Sequence, residues 1–315
     1  MFGYVIRRLL AAIPIALGVS MVCFALVYLA PGDPIQTLLP PDADAETVER
    51  LKRLYGLDRP IVIQYAEWLY RVATGDFGRS IANGRPVIEE IQRSLGNTVL
   101  LAFLSVLVAF SIAFILGTIA GRKSGTWIDR AVTGVAVLGV SIPNYWLAIV
   151  LVIIFSVELM LLPSSGTAGD TFDPTSWEHI QYLILPVITL SMIPVGIIAR
   201  TTRSAVSEVM NQEFVVTLRA NGLPEWRVLK HAIKNALPPV LAVMGLQFGT
   251  LMGGSILVET VFAWPGSGYL LSKAILTRDV PVLQGTILVL AMIFVVTNLA
   301  VDLFQSTLDP RIRRG

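Results

Sequence analysis

Read as apolar and polar positions, the chain falls into six long apolar runs separated by charged stretches: Leu9–Ala30, Thr98–Gly121, Ala131–Val157, Ile180–Ala199, Ala236–Val258 and Val280–Val301. A helix needs about 20 apolar residues to cross a hydrocarbon core. Backbone polar groups in lipid must find partners within the segment, which selects helices over open sheets. The pattern therefore predicts an all-α membrane protein with six transmembrane helices. The first run is too long for the apolar part of a cleaved leader, and Tyr28 spoils a small-residue cleavage site, so it is expected to stay as a helix.

Between the first two runs lies an external segment, residues 31–96, with two amphipathic stretches. In DADAETVERLKRLYGLDRP, Asp44 can cap a helix, Val48, Leu51 and Leu54 or Tyr55 recur at helical spacing, Gly56 closes it, and Pro60 follows. In IVIQYAEWLYRVATGDFG a second helix ends in a Gly and Asp turn, with Tyr65, Trp68 and Tyr70 as interfacial anchors. The later runs carry helix breakers: Pro143 in the third, Pro186 and Pro194 in the fourth, Gly245, Gly249, Gly253 and Gly254 in the fifth. Small residues four apart allow close helix packing, while broken helices can also line a cavity. Both readings stay open for the fifth run. The stretch after Glu259, TVFAWPGSGYLLSKAILTRDV, is too short and broken to span, which suits a re-entrant or external scoop. No internal repeat stands out.

Composition agrees with a membrane chain: 54% apolar, 15% charged, mean hydropathy +0.70. Orientation follows the Lys and Arg of the short loops. Arg7, Arg8, Arg122, Lys123, Arg130, the cluster from Arg200 to Lys234, and Arg311, Arg313 and Arg314 fall on one side; the two shorter loops opposite hold only Lys273 and Arg278. Both termini are thus expected in the cytoplasm. The net charge of +2 reflects that bias rather than a nucleic-acid surface. Cys23 is the single cysteine, so an intrachain disulfide is excluded.

Catalytic chemistry finds little footing. GTIAGRKS, Gly117 to Ser124, imitates a phosphate-binding loop, but three residues separate its glycines and Arg122 precedes the lysine. His179 and His231 are the only histidines and lie outside any zinc spacing, so neither a metal nor a cofactor is expected. Ser164 and Ser165 lack a nucleophile-elbow context. Three acids, Glu158, Glu259 and Asp302, lie near the ends of apolar runs, where buried charge is costly. Structural roles suit Glu158 and Asp302. Glu259 is balanced between structure and a translocation path that would also take Asn144, Gly249 and Gly253.

The most polar interruption is LRANGLPEWRVLKHAIKNALPP. Ser207–Ala220 reads as a short helix, Gly222 as its left-handed end, and Pro224 and Glu225 as the start of an amphipathic helix. Val228, Leu229, Ala232, Ile233, Ala236 and Leu237 share the apolar face of that helix. Such an element can lie on headgroups. Phe214 and Val215, read as exposed beside Glu208, Glu213 and Arg219, favour docking in a protein groove.

TLRANGLPEWRVLKHAIKNALPPVLAVMGLQFGTLMGGSILVETVFAWPGSGYLL resembles the cytoplasmic loop and following helix of permease subunits of ABC peptide importers. The likeness extends to RRLLAAIPIALGVSMVCFALVYLAPGDP, YGLDRPIVIQY, GDFGRS and NLAVDLFQSTLDPRIR, and is specific for the first permease of the dipeptide, oligopeptide, nickel and glutathione importer group. The resemblance implies a first helix at 1–30, the external segment at 31–96, a type I ABC transmembrane domain at 97–304 with a coupling loop at 200–236, and a cytoplasmic tail at 305–315. It implies that Thr217, Arg219, Ala220, Asn221, Gly222, Leu223 and Glu225 couple to an ATPase. Val216, Thr217 and Leu218 stand where the wider family has Glu-Ala-Ala, and Asn221 where peptide permeases usually have Lys. The implied partners are a homologous second permease, two ATP-binding ATPase subunits, an external substrate-binding protein and the lipid bilayer of a bacterial inner membrane. The implied cargo is a dipeptide or oligopeptide, with nickel, glutathione or another small solute as alternatives. An ion-coupled secondary transporter is the rival; it would need a buried titratable relay.

Overall fold

The computed structural model describes residues 2–29, 58–169 and 176–308, with positions 46 and 49. Among the described residues the secondary structure is helical, apart from one isolated bridge between Arg79 and Pro86. Of the helix expected from Asp44 to Gly56, only Glu46 and Glu49 are among the described residues, both helical; the rest lies outside them. The elements are α1 (Phe2–Leu29), α2 (Ile61–Ala73), α3 (Val87–Arg122), α4 (Trp127–Ser141), α5 (Asn144–Leu151), α6 (Trp177–Met210), α7 (Glu213–Ala220), α8 (Glu225–Gly254), α9 (Ile256–Val261), α10 (Ser267–Thr277) and α11 (Val280–Leu308). Helices α3, α6, α8 and α11 each carry a stretch long and apolar enough to cross a membrane. In α1 the apolar stretch among the described residues is Ile13–Ala25.

The third apolar run, expected as one helix over Ala131–Val157, is instead two arms, α4 and α5, bent by 94°. Pro143 is the cause: its ring removes an N–H and drives Ile142 out of the helical region, to φ −83° and ψ 123°. After α5 the chain widens into π-helical turns over Val152–Glu158, where the Leu159 N–H reaches back to the Ile154 carbonyl. The prolines of the fourth run do not interrupt it. Helix α6 continues through Pro186 and Pro194, and α8 through Pro238 and Pro239. Both are packed on several sides, which holds a helix together across a missing hydrogen bond.

The core is the seam between α3 and α6, extended by α8, α5 and α9. Leu101, Leu185, Leu190, Met252 and Trp264 share its largest cluster, and Ala109, Ala113, Ile198 and Val240 continue it. Small residues set the spacing. A methyl group on Gly117 would stand 2.6 Å from both the Ala199 carbonyl oxygen and Thr202 Cβ, and one on Gly121 would stand 2.7 Å from the Arg203 carbonyl. The stretch that imitates a phosphate loop is therefore the packing surface of a helix end. Gly117→Leu should push α3 off α6 at a cost of about 1–3 kcal/mol; a clear drop in the thermal unfolding midpoint of the solubilised protein checks it. Gly245 and Gly249 do the same for α8, lying against Val301 and Thr297 of α11. Gly253 meets nothing within 4 Å.

Helix α2 folds back onto α1. The Tyr65 hydroxyl hydrogen-bonds the Ser20 hydroxyl at 2.7 Å, and Phe24 meets Tyr65 and Trp68 with ring centroids 5.5 and 5.7 Å apart. Two of the three expected interfacial anchors thus grip protein, and only Tyr70 is widely exposed. Cys23 is buried, free, and packed in the same region.

Candidate functional site

Helix α6 overruns its apolar stretch and stops at Met210. The helix expected over Ser207–Ala220 is in fact two pieces: Asn211 and Gln212 break it, and α7 begins at Glu213. Helix α7 ends as the sequence suggests. Gly222 adopts φ +78°, a left-handed conformation that costs an L side chain far more than glycine. The Leu223 N–H then reaches the Leu218 carbonyl at 3.2 Å and the Gly222 N–H the Arg219 carbonyl at 2.9 Å, a complete Schellman closure. Pro224 follows as the cap of α8.

One side of this loop is anchored. Val215 is fully buried, and Phe214 is half-buried against Val206 and Val209 of α6 and Ala232 and Ala236 of α8. Both were expected to be exposed; the break at Asn211 turns α7 so that they face inward. The apolar residues that do reach solvent are Val216, 64% exposed, and Trp226, 63% exposed, with the Arg227 guanidinium 5.2 Å from the Trp226 ring centroid. Thr217, Arg219, Ala220, Asn221, Gly222 and Glu225 are exposed beside them, and Leu223 is half-buried. Along α8 the expected face is present: Val228, Ala232 and Ala236 are buried, Leu229, Ile233 and Leu237 half-buried, Lys230, Lys234 and Asn235 exposed.

Arg219 donates from Nε and Nη2 to the two Glu225 oxygens at 2.8 and 3.3 Å, a fork that spans the glycine turn. The bond to Glu225 raises the Arg219 pKa above that of a free guanidinium, so Arg219 stays charged throughout the physiological range. Being exposed, the pair contributes direction rather than stability. A second fork lies nearby: Arg203 of α6 donates to both Asp129 oxygens of α4, and Asp129 also accepts the Gly125 N–H at 2.9 Å, tying the α3–α4 turn to α6.

The four residues considered for a path differ in burial. Asn144 opens α5 with its Oδ1 buried and, among the described residues, unpartnered; Gly249 is buried against α11, and Gly253 is exposed. Glu259 is fully buried in α9. It accepts hydrogen bonds from Thr98 Oγ1 at 2.9 Å, Ser255 Oγ at 2.7 Å, and the N–H groups of Gly268 and Tyr269 at 2.7 and 3.2 Å. Glu158, the last residue of the π-helical turns, is exposed; the side chain of Asp302 lies outside those described. Asp129 and Asp279 were not singled out from the sequence. For Asp279 a signal existed: an aspartate directly before Val-Pro-Val is a helix-start pattern.

Two family models match the chain: the inner membrane component of binding-protein-dependent transport systems over residues 113–314, and the N-terminal part of such membrane components over residues 1–102. The chain belongs to this family. The permease is 42% identical to the dipeptide transport system permease DppB of Alkalihalophilus pseudofirmus, over 99% of this chain and 100% of that one. It is 42% identical to a putative peptide transport system permease of Brucella abortus and 40% identical to the glutathione transport system permease GsiC of Escherichia coli K12, each over 99% of both chains. Its fold is similar to that of the MetNI methionine ABC transporter in an inward-facing conformation: TM-score 0.57 and 18% identity, covering 70% of this chain and 96% of that one. The permease is a multi-pass component of the bacterial inner membrane and a transport subunit rather than an enzyme; ATP hydrolysis belongs to a separate subunit. Its family works with other permeases, ATPases and a binding protein.

Proposed function

We propose that the permease forms, with a homologous second permease, the inner-membrane path of an ATP-driven importer of dipeptides or oligopeptides, and that α7 with Gly222 is its coupling element. The observation that carries the reading is the loop itself: an exposed, rigidly closed helix held between α6 and α8, two helices that continue into the membrane. An ATPase that closes on ATP and grips Val216, Thr217, Ala220 and Trp226 moves α7. The shared cluster of Val206, Val209, Phe214, Ala232 and Ala236 passes that motion to both helices as one body. The charge bias of the loops supports six spans with both termini and α7 in the cytoplasm. A peptide cargo is supported by relatives named for dipeptide, peptide and glutathione transport, glutathione being itself a tripeptide.

The test is uptake of a labelled dipeptide into vesicles holding this permease, its partner permease, the two ATPases and the binding protein. Uptake should require ATP and the binding protein. Uptake without ATP, driven by an ion gradient, sinks the reading in favour of a secondary transporter.

A further inference from the structure

Helix α4 has the form of a lever with a hinge at one end. The Ile142 N–H closes α4 on the Leu138 carbonyl at 3.2 Å, and the Leu147 N–H opens α5 on the Pro143 carbonyl at 3.0 Å, so the two arms meet at an extended Ile142 and a proline. A few residues at the ends of two elements can absorb a change of angle that an unbroken helix resists. From this junction the 15 residues of α4 reach about 22 Å back to Trp127.

The far end of the lever has little apolar hold on the protein. Over residues 127–135 a single one is buried, Asp129, while Trp127 is 76% exposed and Arg130 and Ala131 face outward. The next buried residues, Ala136 and Gly139, lie nearer the hinge and pack on α6. A methyl group on Gly139 would stand 3.3 Å from the Met192 carbonyl oxygen, and one on Gly196 would collide with the Ala136 carbonyl. Contact of this kind brings helices close but has no direction of its own.

Asp129 supplies the direction. At 3% exposed, it accepts from Arg203 Nε and from Nη2 at 2.7 Å, from the Gly125 N–H at 2.9 Å and from the Thr133 hydroxyl at 3.4 Å. The last two bonds fix the carboxylate within α4 and the turn before it; the Arg203 fork alone reaches another helix. A planar fork sets orientation as well as distance. Arg203 in turn belongs to the anchored end of α6. Its carbonyl is pressed on Gly121 of α3, and one turn later Val206 and Val209 join Phe214 of α7 and Ala232 and Ala236 of α8. Desolvation offsets much of the attraction in a pair so enclosed, so stability is a weak reason for its presence.

We infer that the Asp129–Arg203 fork carries the motion of α7 from α6 into α4 and so turns α4 about the break at Pro143. The inference rests on the coupling role given under Proposed function. Asp129 and Arg203 are positioning residues that act through α4. When an ATPase moves α7, the shared cluster moves the end of α6 with it, and the fork makes the tip of α4 follow. The angle between α4 and α5 then changes in step with the ATPase. Without the fork, α6 slides past the tip of α4 while the packing nearer the hinge persists, and ATP is hydrolysed without transport.

The test measures peptide taken up per ATP hydrolysed in vesicles holding the assembled importer, together with its recovery and thermal unfolding midpoint. Asp129→Asn keeps an acceptor for the Gly125 N–H but removes the charge and half of the fork; it should lower uptake per ATP by about fivefold or more while hydrolysis continues. Arg203→Lys, a point charge in place of a fork, should fall between. The double variant Asp129→Asn, Arg203→Leu leaves no unpaired charge, so its midpoint should return close to that of the unaltered importer, yet its uptake per ATP should stay low. Unchanged uptake per ATP in Asp129→Asn overturns the inference. So does recovery of uptake together with the midpoint in the double variant, or loss of assembly in both, since either result assigns the pair to structure alone. If the unaltered importer takes up no peptide with ATP, the functional reading itself fails; if it does, only the fork is at stake.

Discussion

Replacing Gly222 with valine is expected to cut ATP-driven uptake by about tenfold or more while ATP hydrolysis continues. The position is exposed, and a methyl group added there meets nothing within 4 Å, so a steric collision cannot be the cause. The backbone is. A left-handed residue costs an L side chain about 1–2 kcal/mol, and more when it is β-branched. About 1.4 kcal/mol is a tenfold change in population. The turn would relax toward negative φ, the Leu223 to Leu218 bond would open, and Glu225 would swing away from Arg219. The exposed face of α7 would then reach the ATPase in the wrong geometry. Gly222→Asn, which tolerates the left-handed region better, should fall between the two. Full uptake by the valine variant in reconstituted vesicles refutes the coupling role.

Four of the six expected spans, now α3, α6, α8 and α11, were legible in the sequence because an unbroken run of about 20 apolar residues suits a lipid crossing and little else. Gly222 was legible for a similar reason: a glycine between the end of one amphipathic helix and a proline has one conformational use. Local order of that kind leaves a local mark. The bend at Pro143 was half legible. The proline marked a weak point, but Pro186, Pro194, Pro238 and Pro239 carry the same mark and their helices run on. What separates them is how many neighbours enclose the helix, a tertiary property. The inward turn of Val215 depended on two polar residues, Asn211 and Gln212, ending a helix whose periodicity continued through them. Asp129 and Arg203 lie 74 positions apart, and Asp279 and Ser80 lie 199 apart. Pairings over such distances are set by the packing of α3 on α6 and by the fold of the stretch that leads into α3, and no spacing rule reaches them.

Glu259 illustrates how burial separates two readings that sequence left level. An acid beside a glycine-rich helix could meet solute or could hold structure. With no exposed surface and four hydrogen-bond donors around it, the carboxylate binds α9, α10 and α3 together. Glu259→Ala leaves the Gly268 and Tyr269 N–H groups without an acceptor, and each orphaned buried donor costs about 1–3 kcal/mol. The loss should appear as a large fall in the thermal unfolding midpoint of the solubilised permease. Glu259→Gln should be far milder. Its carbonyl can take the two N–H groups while its amide donates to Thr98 and Ser255, whose hydroxyls can rotate to accept. Gly266→Ala should shift stability in the same direction as Glu259→Ala, since its methyl group would press on the Glu259 carboxylate and stand 2.6 Å from Thr98 Oγ1. A carboxylate that met solute would give the opposite pattern: Gln would abolish uptake at full stability. Equal unfolding midpoints for the Ala variant and the unaltered permease would remove Glu259 from the framework that joins α9, α10 and α3.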